Sequence, residues 1–174
     1  LANPIPEIMP EIVYDVFPNA IVATGRSDYP NQVNNLIGFP YIFRGALDVR
    51  AKEINDDMKI AAAKAIATLA REEVPDEVVN AYGGERPHYG KDYIIPSTFD
   101  PRLISRIPSA VAEAAMKSGV ARKKIKDIEI YKDQLTNRLD PSMSIMQGIN
   151  AQIKKRPKTV VFAEGEDQNM LKAA

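Results

Sequence analysis

A chain of 174 residues, 45% apolar and 26% charged, has the make-up of one ordinary globular domain and not of a disordered or fibrous segment. Lysine plus arginine balances aspartate plus glutamate at 23 each, so no net field draws the chain to nucleic acid or an anionic membrane. Cysteine is absent and no apolar run is long enough to span a bilayer, which excludes disulfides, thiolate metal sites and a membrane helix.

In chain order, Leu1-Ala2 reads as the tail of a strand and Asn3-Pro4-Ile5-Pro6 as a stiff turn, because a residue before proline is pushed out of the helical region. Pro10 and Pro18 leave room for no more than a short helical turn before Asn19. Ala20-Ile21-Val22-Ala23 is the clearest strand, apolar throughout as a buried parallel strand is. It runs out at Thr24-Gly25 into a polar loop that holds four carboxamides, Asn31, Gln32, Asn34 and Asn35. In open α/β sheets ligands bind in the loops after the carboxyl ends of strands. Carboxamides there offer donors and acceptors without net charge, which suits a ligand with hydroxyl, carbonyl and amide groups.

A helix is expected from Asn31 or Gln32 to Val49, kinked at Pro40. Asn55 is a good N-cap, followed by Asp56 and Asp57 and by Met58, Ala62, Ala65, Ile66 and Leu69 at helical spacing up to Arg71. Gly83-Gly84 to Gly90 reads as a loop, and Asp100-Pro101 as a cap with proline at the first helical position. Pro108 is expected to reopen a helix that ends at Gly119, a C′ residue. Ile128, Tyr131 and Leu135 mark another helix, and Asp140-Pro141 caps a last one with Ile145, Ile149 and Ile153 on one face. Lys154 to Lys158 is a basic linker, Thr159 to Ala163 a buried strand, and Gly165 starts a turn into a helix. The pattern at both ends suggests a piece of a longer polypeptide.

Four stretches together make a resemblance. Leu1-Ala2-Asn3-Pro4, Ala23 to Asn35, Phe39 to Val49 (FPYIFRGALDV) and Ile95 to Leu103 (IPSTFDPRL) resemble the cofactor-binding domain of malic enzymes, specifically the bacterial hybrid type with a fused phosphotransacetylase-like domain. The resemblance covers most of the first 130 residues and returns at Thr159 to Leu171. It implies an α/β fold: residues 1–130 as the C-terminal part of a Rossmann-type NAD(P)-binding domain, 131–158 as a helical linker, and 159–174 as the first βα piece of the second domain. It further implies oxidative decarboxylation of L-malate to pyruvate and CO2 with NADP or NAD, in a cytoplasmic homo-oligomer. Neither nucleic acid nor membrane enters as a partner.

The site residues follow from the same likeness. Asn3 matches an asparagine that binds cofactor and substrate near the nicotinamide, although a residue before proline can equally bond its own backbone in a turn. Asn34 and Asn35 match paired asparagines implied to contact substrate, with Asn35 also at the nicotinamide ribose. Their plainer role is to cap a helix. Arg26 invites a cofactor 2′-phosphate, but an arginine in a polar loop also pairs with a neighbour such as Asp28. His88 lies in a loop where a histidine is usually only solvated. Asp48, Glu53, Asp56 and Asp57 lack metal-ligand spacing, and no Gly-x-Gly-x-x-Gly loop occurs. The resemblance places the phosphate loop, the proton-transfer groups and the Mg2+ or Mn2+ ligands upstream, so no catalytic and no metal residue is expected within this chain. A rival reading needs no catalysis: a helical linker or oligomerisation module packed through the helices at Asn55 and Asp140.

Overall fold

The computed structural model describes residues 2, 5–81 and 85–138. Within them lie six α-helices and one 3-10 turn: α1 (Pro10–Val16), the turn Asn35–Ile37, α2 (Phe39–Asp48), α3 (Asp56–Leu69), α4 (Asp76–Ala81), α5 (Leu103–Lys117) and α6 (Ile128–Thr136). Asn3, the Asp140 helix, the basic linker and the strand and helix expected at 159–171 lie outside the described residues.

Three expectations need correction. Ala20–Ala23 forms no strand; the nearest pairing is a single parallel bridge between Thr24 and Gln32. A strand exists only where a neighbour supplies its ladder of hydrogen bonds, and no second strand lies among the described residues. The α/β fold is thus represented there by its helical part. The helix expected from Asn31 or Gln32 starts later, and Pro40 opens α2 instead of kinking it. Proline in the first turn loses no intrahelical bond, because those N–H groups have no partner anyway. Lastly, Pro108 sits inside one continuous helix, α5, and does not restart one. Its missing N–H costs α5 a hydrogen bond, but Ile107 and Ser109 beside it are buried to within 1%, so packing holds the segment helical. Between Arg71 and Gly83, where the sequence reading names no element, the structure adds α4. Six residues with two valines carry no helical signal beyond Pro75, whose carbonyl accepts the N–H groups of Val78 and Val79.

The remaining helices start and stop where their end residues dictate. The Asn55 side chain accepts the Met58 N–H at 3.1 Å and donates to the Ser118 hydroxyl at 3.0 Å, tying the start of α3 to the end of α5. Gly119 takes φ +77°, a left-handed conformation that glycine adopts without steric cost. The Val120 N–H then reaches back to the Ala115 carbonyl at 3.1 Å and closes the C-terminus of α5. Asp127 caps α6 by accepting from Glu129 and Ile130 at 2.9 and 3.1 Å.

The core gathers on α5, against which α2, α3 and α6 all pack. Leu103, Ile107, Val111, Ala112 and Ala115 form its buried stripe, met by Ala46 and Val49, by Met58, Ala62 and Leu69, and by Tyr131 and Leu135. Gly45 sets the approach of α2. A Cβ built there would lie 2.5 Å from the Pro108 carbonyl oxygen and 2.9 Å from Val111 Cβ, so only glycine fits this crossing. One turn on, Asp48 receives the Arg44 guanidinium and the Tyr131 hydroxyl, the latter at 2.7 Å, which joins α2 to α6. Burial, then the bond to Asp48, pushes the Tyr131 hydroxyl well above the ordinary tyrosine range.

Gly45→Ala is expected to lower stability by about 2–3 kcal/mol, because backbone must move, despite the gain of roughly 1 kcal/mol that alanine brings to a helix. Urea unfolding of the variant checks it, and an unchanged midpoint would show that α2 has room to shift. Tyr131 is protonated in the fold, so its contribution is whole below the unfolded tyrosine value of about 10 and is lost as pH rises from there towards the raised folded value. Stability measured between pH 8 and 11 should therefore fall less steeply in Tyr131→Phe than in the parent chain.

Candidate functional site

The loop from Thr24 to Asn35 is held by its own side chains. Thr24 is buried; its carbonyl accepts the Val33 N–H at 2.7 Å and its hydroxyl accepts the Arg26 N–H at 3.2 Å. Gln32 donates to the Gly25 carbonyl at 3.4 Å across the same narrow turn. Arg26 chelates Asp28 through Nε and Nη2, at 2.8 and 2.5 Å, and lies 5.2 Å over the Tyr29 ring. The Tyr29 hydroxyl in turn donates to Glu11 on α1 at 2.6 Å. These bonds hold the Asp28 and Glu11 carboxyls below the usual carboxylate range, Asp28 through Arg26 and Glu11 through Tyr29. The Arg26 guanidinium is therefore engaged within the loop, as the pairing alternative has it.

Asn31 is 5% exposed at φ 55°, and its side chain holds the loop to a distant segment. Its amide donates to the Val22 carbonyl at 3.0 Å and to the Lys91 carbonyl at 2.6 Å, and its oxygen accepts the Ile94 N–H at 2.8 Å. Between this loop and residues 85–99 opens a cleft of about 720 Å³, with Asp28, Asn31, Arg86, His88, Ser97 and Thr98 among its walls. Arg86 is committed elsewhere, to the Val74 carbonyl and the Asp76 carboxylate. His88 is exposed on the rim.

Asp100 follows directly on the cleft-lining residues Ser97, Thr98 and Phe99. Its carboxylate is fully buried, accepts the Arg102 N–H at 2.9 Å and pairs with the Arg102 guanidinium at 2.7 Å, while Arg102 also donates to the Glu73 carbonyl at 2.8 Å. Asp100 therefore closes a turn just ahead of α5 and does not cap a helix opening at Pro101; the helix begins at Leu103.

Of the expected site residues, Asn34 and Asn35 are placed and Asn3 is not. Asn34 caps the 3-10 turn by accepting the Leu36 N–H at 2.9 Å, so the capping role is real. Asn35 is the first residue of that turn, its side chain exposed and without a hydrogen bond among the described residues. Neither asparagine lines the cleft. No group of three or more histidine, aspartate or glutamate residues among the described ones could hold a metal ion. Sequence reasoning misses Asn31 and Asp100 as anchors. The Pro30-Asn31 step is the available signal, since asparagine tolerates the left-handed region and proline favours a turn before it.

Asp100→Ala is expected to cost about 3 kcal/mol, because it strands a partly buried guanidinium and opens the turn before α5. Asp100→Asn keeps an acceptor for the Arg102 N–H and should cost less; equal losses in thermal or urea unfolding would show that the charge matters and the turn bond does not.

Comparison with known proteins agrees with the resemblance to the cofactor-binding domain of malic enzymes. Residues 17–80 match the family model described as malic enzyme, NAD binding domain. The chain is 62% identical over its whole length to the NADP-dependent malic enzyme of Rhizobium meliloti and 55% identical to the NAD-dependent malic enzyme of the same organism. It spans 23% of each, so it covers about a quarter of the curated relatives it matches. Among solved structures, malic enzyme from Pyrococcus horikoshii aligns over 88% of this chain and 31% of its own, with 46% identity and a TM-score of 0.65. Malic enzyme from Entamoeba histolytica aligns over 99% of this chain and 31% of its own, with 34% identity and a TM-score of 0.66. The chain is thus similar along its whole length to one stretch of malic enzymes, and residues 17–80 carry the pattern of their NAD-binding domain.

Proposed function

We propose that this chain forms one wall of a malic enzyme active site, at which L-malate is oxidised and decarboxylated to pyruvate and CO2 with NADP or NAD. The observation that carries the reading is the Asn34-Asn35 pair: it sits in a stretch similar to malic enzymes throughout, and the Asn35 carboxamide is exposed and unpaired among the described residues. Asn34 locks the backbone of the turn, and Asn35 presents an amide donor to a malate carboxylate or a ribose hydroxyl. Asn3 is read as a second contact near the nicotinamide. The bound dinucleotide supplies the hydride acceptor. The likeness to malic enzymes assigns the Mg2+ or Mn2+ that this chemistry uses to residues outside the described ones.

The finer parts of the reading rest on sequence. Thr159 to Leu171 is taken as the opening of a phosphotransacetylase-like domain, and the whole protein as a cytoplasmic homo-oligomer. A non-catalytic helical module is the second reading, favoured by one observation: α2, α3, α5 and α6 bury a core of their own.

Asn35→Ala in the complete protein decides between them. It is expected to raise the malate KM and lower kcat, for a loss of about 1–3 kcal/mol in kcat/KM, with thermal stability unchanged. Unchanged kinetics would reduce Asn35 to a turn residue, and absence of malate-dependent NADP or NAD reduction by the parent protein would favour the module.

A further inference from the structure

Asn31 combines three features that a loop residue rarely shows together. It is nearly fully buried, it holds a left-handed backbone conformation that costs an ordinary residue on the order of 1 kcal/mol, and its carboxamide is saturated by main chain. Both amide hydrogens are used, one on the Val22 carbonyl and one on the Lys91 carbonyl, while the oxygen takes the Ile94 N–H. The last two partners lie 60 and 63 residues away in sequence. One side chain therefore joins three backbone segments: the stretch entering the loop, the loop itself, and the segment after Gly90. With its donors spent, the Asn31 carboxamide has no N–H to offer a ligand, although the residue lines the cleft.

What it controls lies directly downstream. The Val33 N–H bonds the Thr24 carbonyl at 2.7 Å, Asn34 caps the 3-10 turn, and Asn35 opens that turn. Between Thr24 and the turn the chain has no helix and only the single Thr24–Gln32 bridge, and Asn31 is the residue of this stretch that ties it to the distant segment 91–94, so the position of Asn35 depends on how residue 31 is anchored. We infer that Asn31 is a positioning residue, which sets the place and orientation of the Asn35 carboxamide by locking the loop to residues 91–94. The inference rests on the proposed role of Asn35 at the substrate.

The test is a double-mutant cycle in the complete protein, with malate KM, kcat and melting temperature measured for each variant. Asn31→Asp keeps the size, the acceptor for Ile94 and tolerance of the left-handed region, and removes a donor that two carbonyls need. Asn31→Gly keeps the backbone freedom and removes all three bonds; should it fail to fold, Asn31→Asp alone decides. Each is expected to raise the malate KM roughly tenfold at a temperature well below its melting point. In an Asn35→Ala background the same changes should move KM less than about twofold, because positioning an absent carboxamide has no value. A full tenfold effect in that background, or no effect on KM in the parent, would overturn the inference. Unchanged kinetics in Asn35→Ala by itself would instead overturn the proposed role of Asn35, and the inference with it.

Discussion

The described helices depend on how closely α2 can approach α5. At Gly45 the gap is so narrow that a single methyl would meet the Pro108 carbonyl and the Val111 side chain. That close crossing carries Ala46 and Val49 into the stripe on α5 and brings Asp48 within reach of Tyr131 on α6. Interiors are packed to crystal-like density, so a shift at one crossing is passed to its neighbours. Proline within α5 takes part in this contact, and it is tolerated because Ile107 and Ser109 beside it are packed in the core.

The polar network does for the loops what this crossing does for the helices. Asp48, Arg102 and Asn31 each bond a segment far away in sequence, Tyr131, the Glu73 carbonyl and the Lys91 carbonyl respectively. Partly buried charges and amides are stabilising only when their bonding capacity is met, and here the groups that hold loops in place are also the ones most fully met. The exposed Asn35 is different: it spends nothing on the fold. A carboxamide left unpaired at the surface beside a rigid turn is suited to bonding a ligand, whereas Arg26, neutralised by Asp28, is not an available anion receptor.

An apolar stripe remains on the outer side of α2, where Phe39, Phe43 and Leu47 are exposed and the two rings lie 4.7 Å apart. Its spacing is that of one helix face, opposite the residues that meet α5. Single exposed apolar residues are normal, but three in register give this helix two apolar faces, one of them covered within the described residues.

Local chemistry makes several features legible in the sequence by itself. Asn55 and Gly119 act at helix ends through their own side chain or backbone freedom, so their positions along the chain locate the start of α3 and the end of α5. The pairing of Arg26 with Asp28 is two residues long and equally local. The Asn34-Asn35 pair can be singled out because the residue types and their setting carry the likeness to malic enzymes. Tertiary structure decides the rest. Whether Ala20–Ala23 is a strand depends on a neighbour the segment does not contain. Whether Pro40 kinks or opens a helix, and whether Pro108 breaks one, depends on which bonds and contacts surround it. The anchoring by Asn31 spans 60 residues, and the need for glycine at 45 arises only when a second helix lies against it. Such constraints come from groups brought together by folding, and no local pattern of residues encodes them.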